Sequence, residues 1–201
     1  RNEKFGLLNT YTYHSYKGYR PHSEDYWHIL NTAFETTPGD NTNLQFLGYF
    51  ATGLLRLPGS LTKAEFDANP FQAAQREMDW DFRRVSKKGR VAVRFNTKFG
   101  KSLNNEIEVT GYGTIKYFER AARNSFRIFD RYGLGASLKY VNKSTIFDRV
   151  NSFTIGGDLF YQTGPVSEFN SLAGAKGDQL LNYLDETIGN SGVYILNNFE
   201  I

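Results

Sequence analysis

Two carboxylates and a scattered set of arginines are the residues of this 201-residue chain whose spacing admits chemistry. Glu106 and Glu108 are two apart in the run EIEVTGYGTIKYF, so an extended backbone puts both on one face. Paired carboxylates suit acid–base work, and they equally suit a wet wall balanced by Arg90, Arg94 or Lys116. The alternation around them favours the wall. Arg20, His22, Arg83, Arg84, Arg120, Arg123 and Arg127 fall in stretches that read as connections between strands. Arginine's planar fork binds carboxylates bidentately, so these residues suit an anionic ligand, and Tyr19 and Trp80 could cover an apolar part of it. His14, His22 and His28 are close in sequence, and His14 and His28 could meet across a first hairpin, but no carboxylate-rich, metal-spaced set joins them. No metal and no cofactor is expected. The glycine patterns of nucleotide sites and the G-x-S-x-G nucleophile elbow are absent, and Gly111-Tyr112-Gly113 lacks a third glycine. With no cysteine, thiolate ligands and nucleophiles are excluded as well. The pattern is that of a binding surface, not an enzyme.

What must position these residues is a set of long strands. Glu106–Phe118 alternates Ile107, Val109, Gly111, Gly113, Ile115 and Tyr117 against Glu106, Glu108, Thr110, Tyr112, Thr114 and Lys116. Strands of soluble proteins run to about 5–6 residues, whereas a membrane-crossing strand needs about 9–11. Comparable stretches are Glu3–His14, Asp25–Thr36, Leu44–Leu55, Arg90–Phe99, Arg131–Asn142, Val150–Gln162 and Gly192–Ile201. The connections between them alternate in length. Ser15–Glu24, Arg56–Lys88, Glu119–Asp130 and Thr163–Asn190 are longer; Thr37–Asn41, Gly100–Asn105 and Lys143–Arg149 are short turns. Within Arg56–Lys88, Thr62-x-x-Glu65 has the form of a capping box, and Pro70 suits the first position of a second helix, FQAAQRE. A third helix is expected near Gln179–Glu186.

These features predict an all-β chain: about eight long antiparallel strands of a transmembrane β-barrel, with long extracellular loops carrying short helices. Short turns on one rim and long loops on the other are the habit of outer-membrane barrels. Glu106, Glu108, Lys116, Arg90, Arg94, Lys98 and Asp158 are too many charges for a dry core and suit a watery lumen. Aromatics make up 16% of residues, enough to furnish interfacial girdles. No apolar run of about 18 residues is present, so no helix is expected to span a membrane. The net charge of +3 is too small and too scattered for a nucleic-acid partner. Two other architectures fit part of the pattern: a self-contained eight-stranded outer-membrane barrel, structural or acting on lipids, and a soluble β-sandwich that binds carbohydrate. At 201 residues the chain has the length of one or two soluble domains or of a piece of something larger. Arg1 is not an initiator Met and Ile201 falls within a strand-like run, so the chain is expected to be one part of a barrel domain belonging to a longer protein.

One loop carries a family resemblance. Leu57-Pro58-Gly59-Ser60-Leu61-Thr62-Lys63-Ala64-Glu65-Phe66, followed by Asn69-Pro70-Phe71-Gln72-Ala73-Ala74 and then Arg83-Arg84, resembles the loop of TonB-dependent outer-membrane receptors of the ferric-chelate group. Gly18-Tyr19-Arg20-Pro21-His22-Ser23 is similar to the element before that loop, and Phe153-Thr154-Ile155-Gly156-Gly157-Asp158 to a later strand. The resemblance implies a barrel of about 22 strands around an N-terminal plug. It implies uptake of a ferric siderophore or similar chelate, with energy delivered by the TonB complex through the plug. Residues 1–201 hold neither plug nor TonB box. Outer-membrane lipid and lipopolysaccharide are the surroundings it implies.

Overall fold

A computed structural model describes residues 4–200. Glu3 and Ile201, the expected limits of the first and last strands, lie outside them. Eight strands form one antiparallel sheet in sequence order: β1 (Phe5–Tyr16), β2 (Asp25–Gly39), β3 (Thr42–Arg56), β4 (Arg83–Phe99), β5 (Asn105–Ala121), β6 (Ser125–Ile146), β7 (Arg149–Leu172) and β8 (Ala175–Phe199). Two short helices, α1 (Lys63–Ala68) and α2 (Gln75–Asp79), sit in the β3–β4 connection. No helix among the described residues is long and apolar enough to cross a membrane.

The ladders fix which side chains share a face, because directly opposed residues point the same way. Arg94 opposes Thr110, Thr110 opposes Ser137, and Ser137 opposes Asp158. The charges expected to line one wall, Arg90, Arg94, Lys98, Glu106, Glu108, Lys116 and Asp158, therefore do occupy one face. The other face carries Phe46, Val91, Val93, Val109, Ile115, Leu134, Leu138 and Leu159, all exposed. Aromatics rim this apolar face: Tyr11, Tyr13, Tyr26, Tyr117 and Tyr132 toward the long-connection end, Phe99, Tyr140 and Phe153 toward the other. The interior in the usual sense is small: Ala73, Ala74, Phe82 and Ala121, beside Ala51 in the sheet, are the buried apolar residues among those described. Most of them gather under the β3–β4 connection.

Two of the expected loops are largely strand, and the expected connection Arg56–Lys88 ends at residue 82, before β4 begins. Glu119–Asp130 is not a loop, because β5 and β6 continue their ladder to Ala121 and Phe126, leaving residues 122–124 to turn. Thr163–Asn190 is a hairpin: β7 and β8 pair from Thr163↔Thr187 outward to Leu172↔Ala175, and residues 173–174 make the turn. Ala173 and Gly174 both have positive φ (50° and 85°), which a two-residue hairpin turn of matching twist requires. The expected helix at Gln179–Glu186 is strand, since its residues are drawn into a ladder whose hydrogen bonds outweigh a weak local preference. The alternation in connection length thus persists only in β1–β2 and β3–β4. Beyond them, the extra residues lengthen β6, β7 and β8 to 22, 24 and 25 residues. The turn expected at Thr37–Asn41 tightens to residues 40–41, with Pro38 in a register shift between Thr36 and Gly39, where its missing N–H costs no ladder bond.

The capping box forms as expected. Thr62 caps α1, accepting from the Glu65 N–H, while the Glu65 carboxylate accepts from the Thr62 backbone N–H at 2.7 Å. The second helix begins later than Pro70, at Gln75, with Ala74 as its uncapped start. The backbone and hydroxyl of Thr62 hold the Glu65 carboxyl below the usual carboxylate range. A carboxyl lowered in the folded state stabilises above its unfolded pKa and loses that contribution as pH falls through the folded one. Protection of the α1 amides, measured against their intrinsic exchange rate, is therefore expected to fall as acid protonates Glu65, and Glu65→Gln to abolish that dependence.

Candidate functional site

The nine candidate ligand residues separate into two groups. The first surrounds the β3–β4 connection, residues 57–82. Arg20 donates from Nε to Gln72 O at 2.8 Å and from Nη2 to Gly59 O at 3.0 Å and Pro58 O at 3.3 Å. Its guanidinium thereby clasps the β1–β2 loop to the β3–β4 loop. His22 makes a second tie, its Nε2 donating to Phe82 O at 3.0 Å with Asp81 Oδ1 at 3.8 Å. Arg123, in the β5–β6 turn, donates to Glu77 at 3.0 Å; Glu77 is buried, and its other oxygen has no partner. Arg83 pairs with Asp81, which Arg56 also engages at 3.2 Å. Trp80 lies against Phe82 and beneath the Arg76 guanidinium, and a Cβ at Gly174 would strike the Trp80 carbonyl. So the β7–β8 turn also rests on this loop. Tyr19, 72% exposed, touches Phe71 edge-on at 6.5 Å and opens a cleft with Leu61, Phe66 and Pro70.

The second group is on the polar face. Arg84 opposes Arg120, and Arg120 opposes Arg127, forming a row of three arginines across β4, β5 and β6. Two residues further along each strand stand Ser86, Phe118 and Phe129, with the two rings 5.0 Å apart. Two further still, Lys88, Lys116 and Arg131 make a second cationic row. Arg84 lies over Phe118 at 5.6 Å and Arg131 over Phe129 at 5.4 Å, so the aromatic step is sandwiched between guanidinium groups. Below it a cleft of about 540 Å³ is lined by Lys88, Arg90, Lys116, Tyr49, Tyr112, Phe160 and Gln162, with Tyr112 and Phe160 stacked. Only some of this charge is compensated. Arg127 pairs with Glu168 at 3.0 Å, and Arg131 with Glu186. Arg90, Lys116 and Arg120 make no ion pair among the described residues, and the buried Nε of Arg84 has no hydrogen-bond partner. Such a surface can hold an anion bearing several carboxylates, with flat or apolar parts set against the rings.

Lys88, Lys116 and Arg131 were not anticipated as part of a site, although Lys116 and Arg90 were expected as partners of the two glutamates. The glutamates find others: Glu108 pairs with Arg94 and lies 3.4 Å from Lys139, and Glu106 accepts from Asn96 at 2.7 Å. The signal for the second row was register. Once β5 and β6 extend through the supposed loop, Lys116 must oppose Arg131. His14 and His28 do not meet: Tyr13 opposes His28 and His14 opposes Trp27, which puts the two rings on opposite faces. His14 lies 3.0 Å from Asp25 and His28 2.6 Å from Tyr11, and no group of three metal-ligating side chains occurs among the described residues.

Two solved structures share this fold. The ferric citrate transporter FecA in its unliganded form superposes with a TM-score of 0.82 at 15% identity, covering 100% of this chain and 31% of its own. BauA, the ferric preacinetobactin receptor from Acinetobacter baumannii, matches with a TM-score of 0.73 at 10% identity, covering 98% of this chain and 34% of its own. At these identities the likeness is one of fold: the chain is an all-β segment of barrel wall, about a third of the length of either neighbour. No protein-family model and no curated protein matches it.

Proposed function

We propose that this chain is a stretch of barrel wall from a TonB-dependent outer-membrane receptor that takes up a ferric siderophore or similar anionic chelate. In this reading the polar face is the lumen, the apolar face meets lipid between its aromatic rims, and the long-connection end is extracellular. The wall performs no covalent chemistry. It captures the ligand, and transport follows from TonB-driven displacement of a plug outside residues 1–201. The observation that carries the reading is the pair of cationic rows, Arg84–Arg120–Arg127 and Lys88–Lys116–Arg131, flanking Phe118 and Phe129 on the lumen side. A surface built only to be wet has no need of uncompensated cations concentrated below its outer rim, whereas capture of a multiply charged anion does. Arg120, Arg127 and Arg84 belong to this site. Tyr19, Arg20, His22, Trp80, Arg83 and Arg123 form the collar above it, of which Tyr19 is best exposed to meet a ligand.

The test is equilibrium binding of ferric citrate and of a neutral ferric hydroxamate to the complete receptor. Lys116→Glu combined with Arg120→Glu is expected to weaken ferric citrate by at least about tenfold, with a salt-dependent on-rate, and to leave the neutral chelate unaffected. Equal losses for both chelates, or none for either, would overturn the assignment.

A further inference from the structure

On the polar face, below the two cationic rows, two aromatic rings lie down on the sheet. Tyr112 opposes Gly135 on β6, and Gly135 opposes Phe160 on β7, so the aromatics flank a glycine. A Cβ on Gly135 would fall 2.2 Å from Cζ of Tyr112, and one on Gly133 would fall 3.1 Å from Cε2 of Phe160. The glycines thus leave the space that the ring tips occupy. The rings are within 16° of parallel, their centroids 6.2 Å apart, and together they give the cleft of about 540 Å³ a flat apolar floor. An aromatic laid over a glycine also shields the strand's backbone, but shielding needs no charge beside it. Here charge is present along the upper edge. Arg90 and Thr114 stand one step above the floor, and Lys88 and Lys116 one step above those. The three cations are exposed. Arg90 and Lys116 make no ion pair among the described residues, and Lys88 lies over the Trp27 ring, 5.3 Å from its centroid. Three carboxylates share the surrounding face. Glu186 is taken by Arg131 and Glu108 by Arg94. Asp158 stands one step below Phe160, outside the cleft's lining. An anionic oxygen in the cleft is therefore drawn upward, toward β4 and β5 and away from Asp158.

A flat apolar floor with cations along one edge matches a planar group that carries its charge at one end. We propose that the cleft seats an aryl arm of the chelate bearing acidic oxygen: a catecholate, a phenolate or an aryl carboxylate. The arm's ring rests on Tyr112 and Phe160, and its oxygens face Lys116 and Arg90. Thr114 and Gln162, which also line the cleft, offer a hydroxyl and an amide to a second oxygen. The inference rests on the proposed function and narrows its ligand. The upper rows attract any multiply charged anion, whereas this floor discriminates by shape. An arm of carboxylates and hydroxyls on saturated carbon engages the same cations but has no π-face to stack on the two rings.

The experiment is equilibrium binding of ferric catecholate and of ferric citrate to the complete receptor. Tyr112→Leu combined with Phe160→Leu keeps the floor apolar and removes its π-faces. This variant is expected to weaken ferric catecholate by about tenfold and ferric citrate by less than about twofold. Gly135→Ala is the second variant. The atoms nearest its methyl belong to the far end of the Tyr112 side chain, which can swing away, so the sheet is kept and the ring is lifted off the wall. A loss of about threefold is expected for ferric catecholate alone. Equal losses for both chelates, or none for either, overturn the proposal. Ferric citrate binding that Lys116→Glu with Arg120→Glu still weakens would in that case leave the proposed function standing. Binding of neither chelate to the unsubstituted receptor would count against the proposed function itself and take this seat with it.

Discussion

Arginine at Gly111 is expected to destabilise the assembled barrel by about 2–4 kcal/mol, the cost of a basic side chain facing lipid near the bilayer midplane. Gly111 lies midway between Asn105 and Tyr117, the two ends of the apolar row on β5. A Cβ there would meet nothing within 4 Å, so the backbone admits a side chain and comparison with alanine separates the cost of the charge. Gly111→Ala is the companion variant, expected to lie within about 1 kcal/mol of the unsubstituted protein because only the backbone entropy of glycine changes. Denaturant unfolding of the complete barrel in lipid vesicles reads both. An arginine variant no less stable than the alanine variant would mean that this face does not meet lipid, and the inside-out assignment of the sheet would fall with it.

Arg20→Ala is expected to free the β3–β4 loop while leaving the barrel intact. Three carbonyl oxygens, of Pro58, Gly59 and Gln72, lose their shared donor. Hydrogen bonds from a charged donor contribute about 1.5–3 kcal/mol each when buried, and the half-buried setting here lets water recover part of that. A local opening cost lower by about 2–3 kcal/mol follows, which is roughly a 30- to 150-fold rise in proteolytic nicking within residues 57–82 when opening precedes cleavage. Arg20→Lys is expected to restore little, because an ammonium cannot span three acceptors set in a fork's geometry. Limited proteolysis with global unfolding measured alongside separates the outcomes. Unchanged cleavage would show that His22 and Arg123 suffice to hold the loop, and a lowered global midpoint would show that the loop and the barrel unfold together.

The strands were legible because one face is apolar and the other charged, and a period of two cannot be mistaken over a dozen residues. Glu106–Phe118 announced its pairing faces and the structure keeps them. The capping box at Thr62 and Glu65 was legible for the same reason: it is local chemistry at fixed spacing. What was illegible was how far the strands continue. In Phe126-Arg127-Ile128-Phe129 the alternation is spoiled by Phe129, an aromatic on the polar face, which packs against Phe118. Between Thr163 and Asn190 neither face has a consistent apolar or polar character, so the period of two that marks the other strands is lost. With those segments read as loops, Arg120 and Arg127 were unregistered loop charges, and their alignment with Arg84 could not be deduced. The site was therefore half visible: the arginines by type, their row only through the ladder.

The clasp between Arg20 and the loop has a further consequence. It is written in backbone: every acceptor is a main-chain carbonyl, and His22 likewise takes the carbonyl of Phe82. An attachment of this kind is indifferent to the side chains that the loop displays. Lys63, Phe66 and Phe71 can be exchanged without loosening it, so the rim can alter what it greets while its moorings stay put.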